Sequence, residues 1–316
     1  VLDKGKWLTE TQLSDKDGKF VRQKTSFRDQ VSATGKYQAE NNRYHLYVSY
    51  ACPWATRVII IRHLKGLEDI ISMSVVSPHM GENGWEFNNF PDATKDHINN
   101  KKYMYEVYTE SHPKCSGRVT VPVLWDKIEN KIVNNESREI MKMLDTEFQD
   151  LAKNKIDYYP ENLRDQIDKV IDDIYEPVNN GVYKAGFATT QEQYEKAVTE
   201  LFTQLDKWEN VLSKQRYLCC ETITEADICM FTTLYRFDPV YYVHFKCNLK
   251  RIVDYPNLWN YLKDLYQIKE FKDSCNLTHV KEHYYWSHPF INPHRIVPVG
   301  PEINYDEKHD RDKFSK

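Results

Sequence analysis

The hydrophobic pattern of this sequence changes near residue 150, and that change limits the fold more than any other feature. Before it, strands and a few helices are predicted: a strand at 43–50, a helix at 53–65, a buried strand parallel to the first at 69–78, two strands within 119–135 and a helix at 136–148. From residue 160 onward only helical spacing recurs. The pattern predicts a small α/β domain followed by an all-helical domain, and 316 residues suit two domains of roughly 150 each.

The predicted division has three consecutive ranges. Residues 1–40 form an N-terminal extension with little regular structure, residues 41–150 form the α/β domain, and residues 151–316 form the helical domain with a C-terminal tail. Ser137 is predicted as a cap near the start of the helix at 136–148, and Gly66 as the stop of the helix at 53–65.

A cysteine followed by proline stands where the first strand gives way to the first helix, in YVSYACPWATRVIII at 47–61. Unpaired backbone N–H groups and the helix dipole at such a position favour the thiolate, so the pKa of Cys52 is predicted to be low. Pro53 fits there because that N–H has no helical partner. The alternative is a buried cysteine that serves as a small hydrophobic side chain.

The second cysteine of a redox Cys-x-x-Cys pair is absent, because Ala55 occupies its position. Cys52 therefore requires an external thiol to complete a redox cycle, and glutathione is the abundant cellular example.

Charge and cysteine use argue against several classes of protein. The net charge of −4 gives no reason to expect nucleic acid or an anionic membrane as a partner, and no apolar run approaches the roughly 18 residues of a bilayer span. The seven cysteines are scattered without a Cys-x-x-Cys pair, which favours neither a disulfide framework nor a zinc site and suits a reducing compartment. We expect a cytoplasmic protein, with an organelle as the alternative because Val1 suggests a trimmed N-terminus.

Two further motifs follow Cys52 in order. In TVPVLWD at 120–126, a proline precedes a strand, where a thioredoxin-like domain has a cis-proline facing its active-site cysteine and Val121 offers its backbone to an extended ligand. In NNES at 134–137, Glu136 and Ser137 begin a helix, where they are suited to hold an amino group and a carboxylate. The γ-glutamyl end of glutathione carries both groups.

These motifs, together with segments that most glutathione transferases lack, resemble the glutathionyl-hydroquinone reductases, the Xi class of glutathione transferases, which are related to the omega class. The segments that carry the resemblance are RQKTSFRDQV (22–31), RYHLYVSYACPWATR (43–57), GWEF (84–87), SGRVTVPVLWD (116–126), IVNNESREI (132–140), NNGVYKAGFA (179–188), ITEADI (223–228), RFDPVYYVHFKCN (236–248) and HYYWSHPFINPHRIVPVGP (283–301). The resemblance implies a thioredoxin-like N-terminal domain followed by an all-helical glutathione-transferase C-terminal domain.

The resemblance also implies roles for individual residues. Cys52 is then the catalytic cysteine, assisted by the hydroxyls of Tyr183 and Tyr284. The implied glutathione contacts are Trp85, Arg118, Val121, Glu136 and Ser137, and the implied aromatic-substrate pocket contains Tyr183, Tyr241, Tyr284 and the neighbouring Tyr285. With 22 tyrosines in the chain, the alternative for any one of them is packing. The implied partners are glutathione as co-substrate, glutathionylated quinones and a second copy of the chain, with no metal or nucleotide.

The sequence departs from the family at three places. Thr56 stands where the family usually has histidine, Cys115 where it often has tyrosine, and Cys219-Cys220 where a glycine usually lies near the start of the TEAD helix. None of these removes a residue that the chemistry requires. In the TEAD motif, Thr224 and Asp227 are predicted to form a capping box.

Three other functions remain as alternatives. An omega-type thioltransferase or dehydroascorbate reductase shares the cysteine without needing the tyrosines, and a catalytically silent glutathione-binding protein needs neither. HVKEH at 279–283 fits the H-x-x-E-H pattern of some zinc peptidases. Such an enzyme needs a third ligand well downstream, and only 33 residues follow, which are rich in proline and are predicted to form a tail.

Overall fold

The computed structural model describes residues 1–9 and 13–314 of the chain, which form two compact units interleaved along the sequence. The described part of the first unit comprises residues 1–9, 23–157 and 274–297, and that of the second comprises residues 13–22, 158–273 and 298–314. A consecutive division would place residues 13–22 before the first unit and residues 274–297 in the helical unit. In the structure, residues 13–22 belong to the second unit and residues 274–297 to the first. The boundaries at residues 40 and 150 stay a prediction.

From β3 onward the regular elements of the described residues follow the predicted order, with α2 as an additional helix between β4 and β5. The strands are β1 Leu2–Asp3, β2 Lys6–Trp7, β3 Tyr44–Val48, β4 Ser72–Val75, β5 Val123–Asp126 and β6 Lys131–Asn134. The α-helices are α1 Pro53–Leu64, α2 Met104–Ser111, α3 Ser137–Thr146, α4 Arg164–Ile174, α5 Gly181–Gly186, α6 Gln191–Leu212, α7 Glu225–Arg236, α8 Pro256–Tyr266, α9 Lys269–Lys272 and α10 Leu277–Ser287. None of these helices has the length and apolar character that a bilayer crossing requires.

The first unit is built on a four-stranded sheet in the order β4-β3-β5-β6. Strand β3 pairs in parallel with β4 and antiparallel with β5, and β5 pairs antiparallel with β6. All five residues of β3 are buried. The parallel pairing of β3 with β4 and the presence of the two strands β5 and β6 within residues 119–135 confirm the predicted arrangement. In the turn between β5 and β6, Asn130 adopts a positive φ of 51°. Together with the helices, this order is that of a thioredoxin-like domain.

Helix α1 begins and ends where its sequence predicts. Pro53 is its first residue, and just beyond its end Gly66 has a left-handed φ of 62° and an amide that donates to the carbonyl of His63 at 2.9 Å. The run Ile59–Ile61 is fully buried, and each such side chain contributes about 1.5–3 kcal/mol to folding. Burial of these side chains therefore fixes the position of the helix that has Cys52 at its start.

The described N-terminal residues contain little regular structure, but they form backbone hydrogen bonds with distant segments. Strands β1 and β2 pair with each other, and the amide of Leu2 donates to the carbonyl of Gly117 at 2.9 Å. Residues 27–29 cover the edge strand β6: the amide of Asp29 donates to the carbonyl of Val133, and that of Asn135 to the carbonyl of Phe27, both at 3.0 Å. The sequence does not predict these short pairings, because they depend on distant partners and leave no local periodicity.

The second unit is helical, as predicted, but two of its helices end in π-helical turns. These turns are Tyr175–Asn179 after α4 and Phe237–Tyr241 after α7, and each has a proline as its third residue. Proline lacks the N–H of a regular α-helical ladder, and a wider turn accommodates it. Helix α7 begins with the predicted capping box, in which the amide of Thr224 donates to Asp227 Oδ2 at 2.9 Å.

Candidate active site

Cys52 occupies the N-cap position of α1, just after the turn that follows β3. Its backbone is extended (φ −78°, ψ 118°), and its amide donates to the carbonyl of Ser49 at 3.3 Å. The hydroxyl oxygen of Ser49 accepts from the amide of Ala51 at 3.1 Å, which tightens the turn. The half-buried thiol thus stands beside the N–H groups that open the helix, where negative charge is stabilised.

The backbone of Val121 faces this thiol. Cys52 Sγ lies 3.5 Å from the carbonyl oxygen of Val121, and the Val121–Pro122 peptide bond is cis. The preceding carbonyl, that of Thr120, accepts from the Tyr108 hydroxyl at 2.9 Å. The TVP motif therefore lies against the cysteine with its backbone held in place, which is the arrangement that the sequence predicts.

Thr56, one of the departures from the family, supports the cysteine from within the helix. Its hydroxyl and its amide both donate to the carbonyl of Cys52 at 3.0 Å. The hydroxyl of a threonine provides this hydrogen bond without adding a titratable group near the thiol.

The other described cysteines have different surroundings. Cys219, Cys229 and Cys247 are buried. Burial raises the pKa of Cys219 to about 12 and also raises the pKa of Cys247 and of the half-buried Cys115. These three groups therefore remain thiols at neutral pH, and the thiol is a poor nucleophile.

The start of α3 brings together the polar residues of the NNES motif. Glu136 is the N-cap, and its carboxylate accepts from the amide of Arg138 at 3.4 Å and from the hydroxyl of Thr25 at 3.2 Å. The predicted cap Ser137 is instead the first helical residue, and it is buried. Glu136 is the cap because the backbone is still extended at this residue. Its carboxylate, rather than the hydroxyl of Ser137, therefore reaches the unpaired amides at the start of α3.

Trp85 and Tyr284 lie against the same imidazole, that of His283. The rings of Trp85 and His283 stack with centroids 4.7 Å apart, and Tyr284 meets His283 edge-on at 5.2 Å. His283 Nδ1 donates to the carbonyl of Pro78 at 2.8 Å, which fixes the orientation of the imidazole. Sequence reasoning considered His283 only as a metal ligand and missed this contact, although its motif HYYWSHPF was noted.

The histidines of HVKEH do lie four residues apart on α10, but each imidazole contacts a backbone carbonyl. His279 Nε2 donates to the carbonyl of Pro91 at 2.6 Å, and Glu282 contacts His79 Nε2 at 2.7 Å. Among residues 1–9 and 13–314, no group of three or more His, Cys, Asp or Glu side chains is arranged to hold a metal ion. The zinc alternative therefore has no support in the described geometry.

In the second unit, Tyr183 and Tyr241 belong to an aromatic cluster next to the two π-helical turns. The ring centroid of Tyr183 lies 6.0 Å from that of Tyr241 and 5.5 Å from that of Phe245. Phe245 in turn packs on Gly186, where an added Cβ would lie 2.2 Å from its ring. The packing of this cluster therefore requires glycine at position 186, which accounts for the glycine of the VYKAGFA motif.

Arg118 and Tyr285 are the other two residues to which the resemblance assigns a role in the site. Arg118 lies three residues before Val121 in the loop between α2 and β5. Tyr285 is buried, and burial raises the pKa of its hydroxyl to about 12. The structure thus joins Cys52 to Val121, Trp85 to Tyr284 through His283, and Tyr183 to Tyr241.

Comparison with known proteins gives a consistent assignment. Residues 51–147 match the family model "Glutathione S-transferase, N-terminal domain", and residues 191–264 match "Glutathione S-transferase, C-terminal domain". The chain is 50% identical over 304 residues to the glutathionyl-hydroquinone reductase YqjG of Escherichia coli K12, covering 93% of each protein.

Two solved structures share both fold and sequence with the chain. The Xi-class glutathione transferase of Natrialba magadii is 51% identical with a TM-score of 0.94, covering 99% of this chain and 96% of that one. The glutathione-bound structure of Escherichia coli YqjG is 50% identical with a TM-score of 0.89, covering 91% of this chain and 96% of that one. The chain therefore belongs to the Xi class of glutathione transferases, the glutathionyl-hydroquinone reductase family.

Proposed function

We propose that this protein is a glutathione-dependent reductase that removes glutathione from glutathionyl-hydroquinones and releases the hydroquinone and glutathione disulfide. The observation that carries the proposal is the Cys52 thiol at the start of α1, 3.5 Å from the carbonyl of Val121. One relative supports the substrate class: YqjG of Escherichia coli, which is 50% identical over nearly the whole chain, is named as such a reductase and was solved with glutathione bound.

In the proposed binding mode, the first unit holds the peptide part of the substrate. The backbone of Val121 pairs with the cysteinyl portion of glutathione, and Glu136 and Ser137 receive the γ-glutamyl ammonium and carboxylate at the start of α3. Arg118 contributes positive charge, and Trp85 contributes a flat surface oriented by His283. These assignments rest on the motif match and on the positions of the side chains.

The first chemical step transfers the glutathionyl group to the enzyme. The Cys52 thiolate attacks the glutathione sulfur, a sulfur–sulfur bond forms, and the carbon–sulfur bond to the ring breaks. The electron pair of the broken bond goes to the ring carbon, which takes up a proton to give the hydroquinone. The cysteine is thereby oxidised to a mixed disulfide while the ring carbon is reduced.

The second step regenerates the thiolate. A second glutathione, as its thiolate, attacks the glutathione sulfur of the mixed disulfide and displaces Cys52. Glutathione disulfide leaves, so each turnover consumes one glutathionyl-hydroquinone and one glutathione. No second cysteine is needed, in keeping with Ala55 at the position that would resolve an internal disulfide.

The hydroxyls of Tyr183 and Tyr284 are the proposed proton donors and hydrogen-bond partners for the hydroquinone oxygens. Thiol transfer from a mixed disulfide does not need them, because a thiolate is already a good leaving group. This distinction separates the proposal from an omega-type thioltransferase or dehydroascorbate reductase. The remaining part of the proposal is a homodimer, which the family resemblance implies, and a cytoplasmic location, which the scattered cysteines favour.

The test is a direct comparison of two substrates with the purified protein. We expect glutathione-dependent release of hydroquinone from a glutathionyl-hydroquinone, together with slower or comparable reduction of a small glutathione mixed disulfide. Turnover of the mixed disulfide alone would favour the omega-type thioltransferase, and turnover of neither would favour the silent glutathione-binding protein.

A further inference from the structure

Residues 13–22, which the sequence predicts to lie in an irregular extension, pack on the second unit near α5. The hydroxyl of Ser14 donates to the carbonyl of Phe187 at 2.8 Å, and the amide of Thr189 donates to the carbonyl of Gly18 at 3.1 Å. Ser14 also forms an isolated antiparallel bridge with Phe20, so the segment turns back on itself. We call residues 13–22 the N-terminal hairpin.

The last residue of this hairpin places a positive charge over Tyr183. The guanidinium carbon of Arg22 lies 5.1 Å from the centroid of the Tyr183 ring and 5.3 Å from that of Phe20. Both distances lie within the range of about 6 Å at which a cation is attracted by an aromatic face. Phe20 itself lies alongside Tyr183, with ring centroids 6.2 Å apart and an interplanar angle of 25°.

A buried amide fixes the position of this guanidinium. Arg22 Nε donates to Asn180 Oδ1 at 2.7 Å, and Asn180 is only 3% exposed. Asn180 Nδ2 donates in turn to Glu176 at 3.3 Å, while Lys184 forms an ion pair with Glu176 at 2.6 Å. The guanidinium is therefore held over the ring by a neutral amide that is itself anchored by an ion pair.

We propose that Arg22 is a positioning residue that acts through Tyr183. In the proposed function, on which this inference rests, the Tyr183 hydroxyl gives a proton to the hydroquinone ring or its oxygen, and negative charge develops on the phenol. A fixed guanidinium beside the ring stabilises that charge and holds the ring in one orientation. The N-terminal hairpin is therefore part of what makes the protein selective for aromatic glutathione adducts.

The experiment is a double-mutant cycle that measures kcat on a glutathionyl-hydroquinone for Arg22→Gln, Tyr183→Phe and the combined variant. Arg22→Gln should lower kcat by about 5- to 30-fold, in line with a partly desolvated cation–aromatic contact. In the Tyr183→Phe background the same substitution should change kcat by less than about twofold. An equal loss in both backgrounds would overturn the inference, because Arg22 would then not act through the Tyr183 hydroxyl.

Further variants separate positioning from folding. Arg22→Lys retains the charge and should recover part of the lost kcat, whereas Arg251→Gln removes an arginine of the same unit that pairs with Asp254 at 2.8 Å and should have no effect. If Arg22→Gln lowered hydroquinone and mixed-disulfide turnover equally, or Arg22→Lys recovered nothing, a structural role would replace the proposal. If Arg22→Gln did not fold, the change in kcat caused by Arg22→Lys would be measured instead, in the wild-type protein and in Tyr183→Phe, and the two changes compared in the same way. An inactive wild-type protein would instead reject the proposed function.

Discussion

The two units carry their candidate residues in different kinds of structure. In the first unit, Cys52 and Glu136 sit at helix starts, and Val121 contributes a backbone carbonyl. In the second unit, Tyr183 and Tyr241 sit inside an aromatic cluster beside π-helical turns. Free backbone groups at helix ends suit charged, flexible groups such as a thiolate or an amino-acid end, whereas packed rings suit a flat organic group.

The difference teaches how one protein can combine a general reaction with a narrow substrate range. A thiolate at a helix start attacks any accessible glutathione mixed disulfide, so by itself it gives little selectivity. Cleavage of the carbon–sulfur bond in an aromatic thioether also requires a proton for the ring carbon. Rings held by their neighbours accept or reject a partner by shape. Changes at Cys52 and at the start of α3 should therefore affect all substrates. Changes to the tyrosine rings, Tyr183 in the second unit and Tyr284 on α10 of the first, should affect aromatic substrates most.

The largest effect is expected at Cys52. Cys52→Ser should lower turnover of both glutathionyl-hydroquinone and mixed disulfide by a factor on the order of 10⁴ or more, as loss of a nucleophile does, while glutathione still binds. Replacing the other six cysteines together should leave substantial activity, since burial keeps several of them as thiols. A folded but inactive six-fold variant would show that a second thiol takes part.

The next effect concerns the tyrosine hydroxyls and tests the proposed selectivity. Tyr183→Phe and Tyr284→Phe should each lower kcat on glutathionyl-hydroquinones by about 10²- to 10³-fold, the usual loss for one hydrogen-bond donor to developing charge. Thiol transfer from a small mixed disulfide should change little. If the two activities fell in parallel, the tyrosines would support the fold or the glutathione site, and an omega-type thioltransferase would become the better description.

A smaller effect is expected at the start of α3. Glu136→Ala should raise KM for glutathione adducts more than about tenfold, because the γ-glutamyl ammonium would lose its partner. Glu139→Ala is the matched control: Glu139 lies on the same helix but pairs with Arg28. Equal KM values for the two variants would remove Glu136 from the site. Thermal melting separates this effect from loss of the N-cap, which costs about 1 kcal/mol.

The smallest effect tests the packing of the aromatic cluster. In Gly186→Ala the new Cβ would overlap the ring of Phe245, so we expect a loss of about 1–3 kcal/mol in stability and a fall in Tm of several degrees. Gly81→Ala is the control, because a Cβ added at Gly81 would have no heavy atom of another segment within 4 Å. Similar Tm values for the two variants would mean that the rings of the cluster shift readily to accommodate the added Cβ. Such a cluster would discriminate weakly between substrates of different shape.

The predictable parts of the molecule are those with local signals. The strand, Cys-Pro and helix at 43–65 carry periodicity, a proline and a terminal glycine, and their placement is confirmed. The stacking of Trp85 on His283 and the packing of residues 13–22 near α5 are not predictable in this way, because they join segments far apart in sequence. The cap at Glu136 differed from Ser137 because one residue of extended backbone decides which oxygen reaches the free amides.

One measurement tests the central claim most directly. The enzyme is mixed with a glutathionyl-hydroquinone in the absence of free glutathione, the reaction is quenched, and released hydroquinone and modified cysteines are quantified by chromatography and peptide mass spectrometry. The account predicts one equivalent of hydroquinone per enzyme and a single glutathionyl group, bound in disulfide linkage to Cys52. Release of hydroquinone with Cys52 unmodified, or a stoichiometric adduct on Cys115, Cys220 or Cys275 instead, would contradict it.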